Sequence, residues 1–203
     1  MTSNDYKARR LLLRTFPAED SVTALADEMG WPFVGRTEED PEEDTVLEVM
    51  WMVSPDLVLH YAEDRMSKTA YVMASSWSPE RAEEFAAELS ALLDVRSLGD
   101  LLNAVDAAAD EHQLSLALTR LTLGAPREYD VDVYTRVCRG LIRSDATTRL
   151  SAIWAIGFMP WPEYKKALAP VAAKDPDHGV RAMAEALLES YRLEEQGDMV
   201  VDS

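Results

Sequence analysis

The side chains of this chain that could do acid–base, nucleophilic or metal chemistry are three histidines, one cysteine and scattered pairs of carboxylates. His60 falls in a segment with strand-like alternation, His112 near a predicted helix start and His178 in a predicted turn between helices. A zinc site needs several nitrogen or sulfur ligands converging on one point, and no histidine here has a second histidine or a cysteine at ligand spacing. Neither a Gly-x-Ser-x-Gly elbow nor a glycine-rich phosphate loop occurs among the 8 glycines. Cys138 shares a helical stripe with Tyr134, Val137, Leu141 and Ile142, the setting of a buried structural thiol. Arg136, Arg139 and Arg143 would lower its pKa if it were exposed. Acid pairs such as Glu83-Glu84 or Asp130 and Asp132 are common at this composition and require no catalytic explanation. The expectation is a protein without catalytic residues, cofactor or metal.

Binding is the better served alternative. The run Glu38-Glu39-Asp40-Pro41-Glu42-Glu43-Asp44 has no periodicity and reads as an exposed loop. Its six carboxylates form a dock for basic side chains or, more plainly, a solvated connection. Trp154 and Trp161 flank a turn with Phe158, Met159 and Pro160, either as an aromatic contact patch or as packing between helices. Glu38, Glu39, Asp40, Glu42, Glu43, Asp44, Trp154 and Trp161 are therefore the candidate partner-binding residues.

The charge favours a basic protein as that partner. The chain has 37 acids against 20 bases, a net charge of -17, and both parts are negative: 19 acids to 8 bases over the first 93 residues, 18 to 12 beyond. Such a surface repels phosphate backbones, which excludes nucleic acid, but steers a basic protein toward it. Solubility alone is the simpler reading of the same charge. A single cysteine suits a reducing compartment, and neither a signal peptide nor a membrane span is legible. A cytoplasmic protein with no membrane partner is expected.

The elements that position these residues divide into two parts. Residues 1–94 read as a small α+β domain. Residues 10–16 fit a strand or a short helix, and a helix follows from Asp20 to Met29, with Glu19-Asp20-Ser21 supplying acids and a cap. Trp31-Pro32-Phe33 reads as an apolar turn. From Thr45 to Ser76 the period becomes two, giving a three-stranded antiparallel meander, four-stranded if residues 10–16 join it. Ser78 caps a helix from Pro79 to Leu93, with proline at its first position.

Residues 95–196 carry only helical patterns, and within them one motif recurs. Asp145-Ala-Thr-Thr-Arg149-Leu-Ser-Ala152 returns as Asp177-His-Gly-Val-Arg181-Ala-Met-Ala184, and a weaker copy runs from Asp110 to Ala117 with Leu114 in place of arginine. The aspartate is a helix cap and the apolar residues face a neighbouring helix. The stretch Lys174-Asp175-Pro176-Asp177-His178-Gly179-Val180-Arg181 resembles the second-helix entry of a HEAT repeat, particularly the short variety of bilin-lyase-like proteins. That resemblance implies a C-terminal α-solenoid, with Asp175 and Asp177 shaping the turn between units and Arg181 bonding a neighbouring carboxylate. A frayed tail is expected over 197–203.

The combination is similar in type to bacterial immunity or antitoxin proteins, which occupy the basic cleft of a toxin. The bilin-lyase resemblance implies instead an enzyme or small-molecule handler, with Tyr129, Asp130, Asp132 and Tyr134 as its candidate polar cluster. A generic scaffold in a larger assembly is the third reading.

Overall fold

The computed structural model describes residues 6–39, 46–64 and 67–201. The chain is α+β and separates into two compact units, Met1–Ser97 and Leu98–Ser203.

In the first unit the alternating residues pair as expected. β4 (Leu47–Ser54), β5 (Leu57–Asp64) and β6 (Thr69–Ser76) form an antiparallel meander. Ser54, whose hydroxyl donates to the Asp56 carboxylate at 2.6 Å, helps close the first turn. The sheet is larger than the sequence suggests. β3 (Phe33–Thr37) pairs with β4, while β1 (Tyr6–Lys7) and β2 (Leu11–Leu12) both pair with β6, giving six strands among the described residues. Phe33, expected in a turn, thus begins an edge strand. Leu11 and Leu12 are strand, not helix, and the pairing ends one residue later with a bridge from Leu13 to Val95.

One face of this sheet is dry. Leu47, Val49, Trp51, Leu57, Leu59, Tyr61, Val72 and Ala74 meet Val22 and Ala26 of α1 (Glu19–Glu28) and Ala82, Phe85, Ala86 and Leu89 of α2 (Pro79–Leu92). Trp31 packs edge-on against Phe85, with ring centroids 5.4 Å apart. Ser78 caps α2, accepting from the Arg81 amide at 3.3 Å. No side chain of α1 caps that helix: Ser21 lies inside it and donates to the Ala18 carbonyl, while the Ala18 amide donates to the Tyr61 hydroxyl at 2.9 Å. A buried tyrosine of the sheet therefore takes one of the amides left open where the helix begins.

The second unit has α3 (Leu98–Asp106), α4 (Glu111–Leu123), α5 (Val131–Leu141), α6 (Ala146–Phe158), α7 (Tyr164–Lys174) and α8 (His178–Val201). Aspartates open three of them: Asp110 accepts from Gln113 N, Asp130 from Val133 N and Asp145 from Thr148 N, at 2.6–3.0 Å. Asp177 does the same for Val180 N at the start of α8. Each helix packs on its sequence neighbour in the pairs α3–α4, α5–α6 and α7–α8. Contacts also run α4 to α6 to α8 and α3 to α5 to α7. α8 continues to Val201, past the point where the apolar pattern stops, so the tail expected to fray from residue 197 is helical through that residue.

Candidate functional site

Of the acidic loop, Asp40, Glu42, Glu43 and Asp44 lie outside the described residues. Glu38 and Glu39 lie within them. Arg36 of β3 donates from Nε to Glu38 and from Nη1 to Glu19 of α1. That guanidinium ties the start of the loop to the start of α1.

The loop therefore emerges beside a helical layer that is itself acidic. α1 carries Glu19, Asp20, Asp27 and Glu28 with no base. α2 carries Glu80, Glu83, Glu84 and Glu88 with Arg81 alone opposing them. Burial of the opposite stripe against the sheet sends these carboxylates outward: all but the half-buried Glu19 are exposed. Sequence reasoning noticed the loop and overlooked this layer, although the acids at i, i+3, i+4 and i+8 of α2, complementary to Ala82, Phe85, Ala86 and Leu89, were legible.

The two tryptophans of the second unit separate in environment. Trp154 is 48% exposed and lies edge-on to Phe158, with centroids 6.2 Å apart. Trp161 is 5% exposed and belongs to the interior, which removes it from the candidate contact residues. Its indole N–H donates to the Arg127 carbonyl at 2.9 Å and its ring stacks on Tyr164 at an interplanar angle of 5°. Tyr129 and Tyr134 join the same aromatic cluster at centroid distances of 5.2–5.6 Å. Burial pushes the Tyr164 phenol well above its ordinary range, and its hydroxyl has no hydrogen-bond partner among the described residues. Asp130 does not join the rings; it caps α5.

One constellation was missed altogether. On the sheet face opposite the dry core, His60 Nδ1 lies 2.9 Å from Glu48 Oε1 and His60 Nε2 lies 2.7 Å from Ser75 Oγ. The carboxylate can only accept, so Nδ1 is the donor in the first contact, and the second joins Nε2 to the serine hydroxyl. That is the bonding order of a serine–histidine–acid triad. The hydrogen bond from His60 holds the Glu48 carboxyl below its usual range. Hydrolysis also needs free donors aimed at the developing oxyanion. Ser75 offers none: β6 is paired on both sides there, to Val58 of β5 and Lys7 of β1, and Ser75 and His60 are 5% and 8% exposed. The array satisfies buried polar groups and leaves a substrate carbonyl no access. Strand alternation held the signal for it, since Glu48, His60 and Ser75 all fall on the face opposite Val49, Tyr61 and Ala74.

Cys138 is half-buried, and desolvation pushes its thiol up from the ordinary value. The neighbouring arginines do not activate it. Among the described residues no group of three or more histidine, cysteine or carboxylate side chains is arranged to hold a metal, and no helix is long and apolar enough to cross a membrane.

The repeat motif has a defined structural use. Arg149 Nη1 donates to the carbonyls of Arg143 and Ser144, both at 2.9 Å. Arg181 Nη1 donates to the carbonyls of Asp175 and Pro176, at 2.5 and 3.2 Å. The same side chain thus grips the same two turn carbonyls, five and six residues earlier, in both copies. Arg149 alone also reaches a carboxylate: its Nε and Nη2 donate to Asp175 at 2.7 and 2.8 Å, both side chains being under 10% exposed. The carboxylate partner expected of Arg181 belongs to Arg149. No family model, curated protein or solved structure matches this chain.

Proposed function

We propose that this chain is a non-enzymatic binding protein for a basic protein partner, of the immunity or antitoxin type, built from an acidic α+β unit and a HEAT-like helical unit. The observation that carries the reading is the outward face of α1 and α2, with seven exposed carboxylates to one arginine. A field of one sign over two adjacent helices raises the encounter rate with a cationic partner and falls with salt. Glu38 and Glu39 extend this surface, and Asp40, Glu42, Glu43 and Asp44 are its proposed continuation. Trp154, one of several exposed apolar side chains of the second unit, is the proposed aromatic anchor there. Support for the HEAT-like reading comes from the recurrent arginine clamp and from the two series of helix contacts, α4–α6–α8 and α3–α5–α7.

Affinity capture from the source organism at low and high salt tests this. The wild-type chain should recover one basic protein in stoichiometric amount and release it with salt. Replacing Asp27, Glu28, Glu84 and Glu88 with lysine should abolish the recovery without changing the circular dichroism. Equal recovery by that variant would refute the reading.

A further inference from the structure

The weak third copy of the repeat leaves a gap. Counting from the capping aspartate, Arg149 and Arg181 stand at the fourth position after it, and Leu114 holds that place behind Asp110. Asp175, which receives Arg149, stands two residues before the cap of its own copy; one unit earlier that place belongs to Arg143. Where the later interface is closed by a buried guanidinium–carboxylate pair, the earlier one therefore has a leucine and an arginine. Leucine cannot bond the turn carbonyls, so those of Ala108 and Ala109 lack the clamp that Arg149 and Arg181 supply in the later copies.

A cleft of about 230 Å³ lies at this place, between α3, α4 and α5. Leu114, Arg143, Ala108 and Ala109 all line it, with Val105 in its apolar floor. Arg136 and Arg139 of α5 and Arg143 of the turn that follows it supply its cationic wall. Arg136 is engaged: it binds Asp106 through Nε at 3.1 Å and through Nη2 at 2.5 Å. Arg139 and Arg143 are exposed; their charges act on Asp106 and Asp145 respectively, without a direct ion pair among the described residues. Asp110, the other acid of the lining, caps α4. The lining holds three guanidiniums and two carboxylates, and Asp132 also reaches Arg136, at 3.4 Å, which leaves Arg139 and Arg143 as the cations that face the cleft without a direct ion pair among the described residues.

We infer that this cleft binds a small monocarboxylate with a short apolar body, its carboxylate taken by Arg139 and Arg143 and its body resting on Val105, Ala108 and Leu114. Paired arginines match the two oxygens of a carboxylate. The nearby aspartates disfavour a phosphate dianion. A donor next to the carboxylate, such as an amide N–H, would meet the open carbonyls of Ala108 and Ala109. Both a free N-acylated amino acid and the C-terminus of a peptide ending in an apolar residue carry this chemistry. The inference does not depend on the acidic surface of the first unit.

The test is an NMR titration of the full chain with N-acetyl-leucine, its uncharged amide, a short peptide ending in a free leucine carboxylate, and inorganic phosphate. N-acetyl-leucine should cause saturable shifts at Leu114, Arg139 and Arg143, and the amide should not. Tighter binding of the peptide would identify a chain terminus as the source, equal or weaker binding a free acid. R139Q/R143Q, altering two exposed side chains, should lower affinity about tenfold or more. L114R/R143D restores the pair of the following unit and should fold with the cleft closed and binding lost. The absence of saturable shifts, equal binding of acid and amide, preference for phosphate, or undiminished binding by either variant would each overturn the inference.

Discussion

Removing Asp175 should be among the most costly single changes in the second unit. In Asp175→Ala, Arg149 loses two charge-assisted hydrogen bonds, and the Asp177 amide loses the Oδ1 acceptor it reaches at 2.9 Å. The guanidinium stays buried, held only by the carbonyls of Arg143 and Ser144. Breaking a buried pair from one side costs about 3–5 kcal/mol, and the two remaining carbonyls place this case near 3. Asp175→Asn keeps the shape and one acceptor, so about 2 kcal/mol is expected from one lost bond to a charged group. Urea unfolding of the full chain at pH 7 measures both, and hydrogen exchange of α6 and α8 amides assigns the loss to this unit. Acidity gives a second readout. Arg149 holds the Asp175 carboxyl below its usual range. A depressed folded pKa contributes stability above the unfolded value of about 3.9 and loses it as pH falls through the folded pKa. The gap between wild type and Asp175→Asn should therefore narrow below about pH 4. A cost under about 1 kcal/mol, or additive costs for Arg149→Ala and Asp175→Ala, would refute the coupling.

Two further predictions concern α5. A Cβ at Gly140 would stand 2.8 Å from Ala152 Cβ and 2.9 Å from Leu118 Cδ1, so Gly140→Ala should lower stability by about 1–3 kcal/mol in urea despite its better helix propensity; a more stable variant would disprove the close helix approach. The Cys138 thiol, raised by desolvation, should react with iodoacetamide at neutral pH more slowly than free cysteine, and a rate equal to or above that of free cysteine would contradict its burial.

Much of the architecture was legible because its causes are local. Ser78-Pro79 opens a helix by capping chemistry, and Asp110, Asp145 and Asp177 do so in series. The alternation of β4, β5 and β6 was equally plain. β3 was not, because its exposed residues Phe33, Val34 and Thr37 carry no inside–outside signal and its place is set by pairing with β4. β1 and β2 are two residues each and exist through β6. Long-range choices were the least legible. Trp161 and Trp154 look alike in sequence, yet only Trp161 finds a carbonyl, that of Arg127, in reach of its indole nitrogen. Likewise Arg149 and Arg181 occupy the same motif position, and only the three-dimensional neighbour decides which one meets a carboxylate.

The array of Glu48, His60 and Ser75 also bears on how the meander avoids misassembly. Apolar alternation penalises a slip of one residue, which would turn every core side chain outward. It is nearly blind to a slip of two, which restores the alternation. His60 stands opposite Met50 and Met73, and bonds diagonally to the residue two before the first and two after the second. A two-residue displacement of either outer strand would leave the largely buried imidazole with an unmatched nitrogen. Three polar residues thus serve as a key, admitting one alignment of three strands and rejecting the nearest alternative that greasy side chains alone would accept.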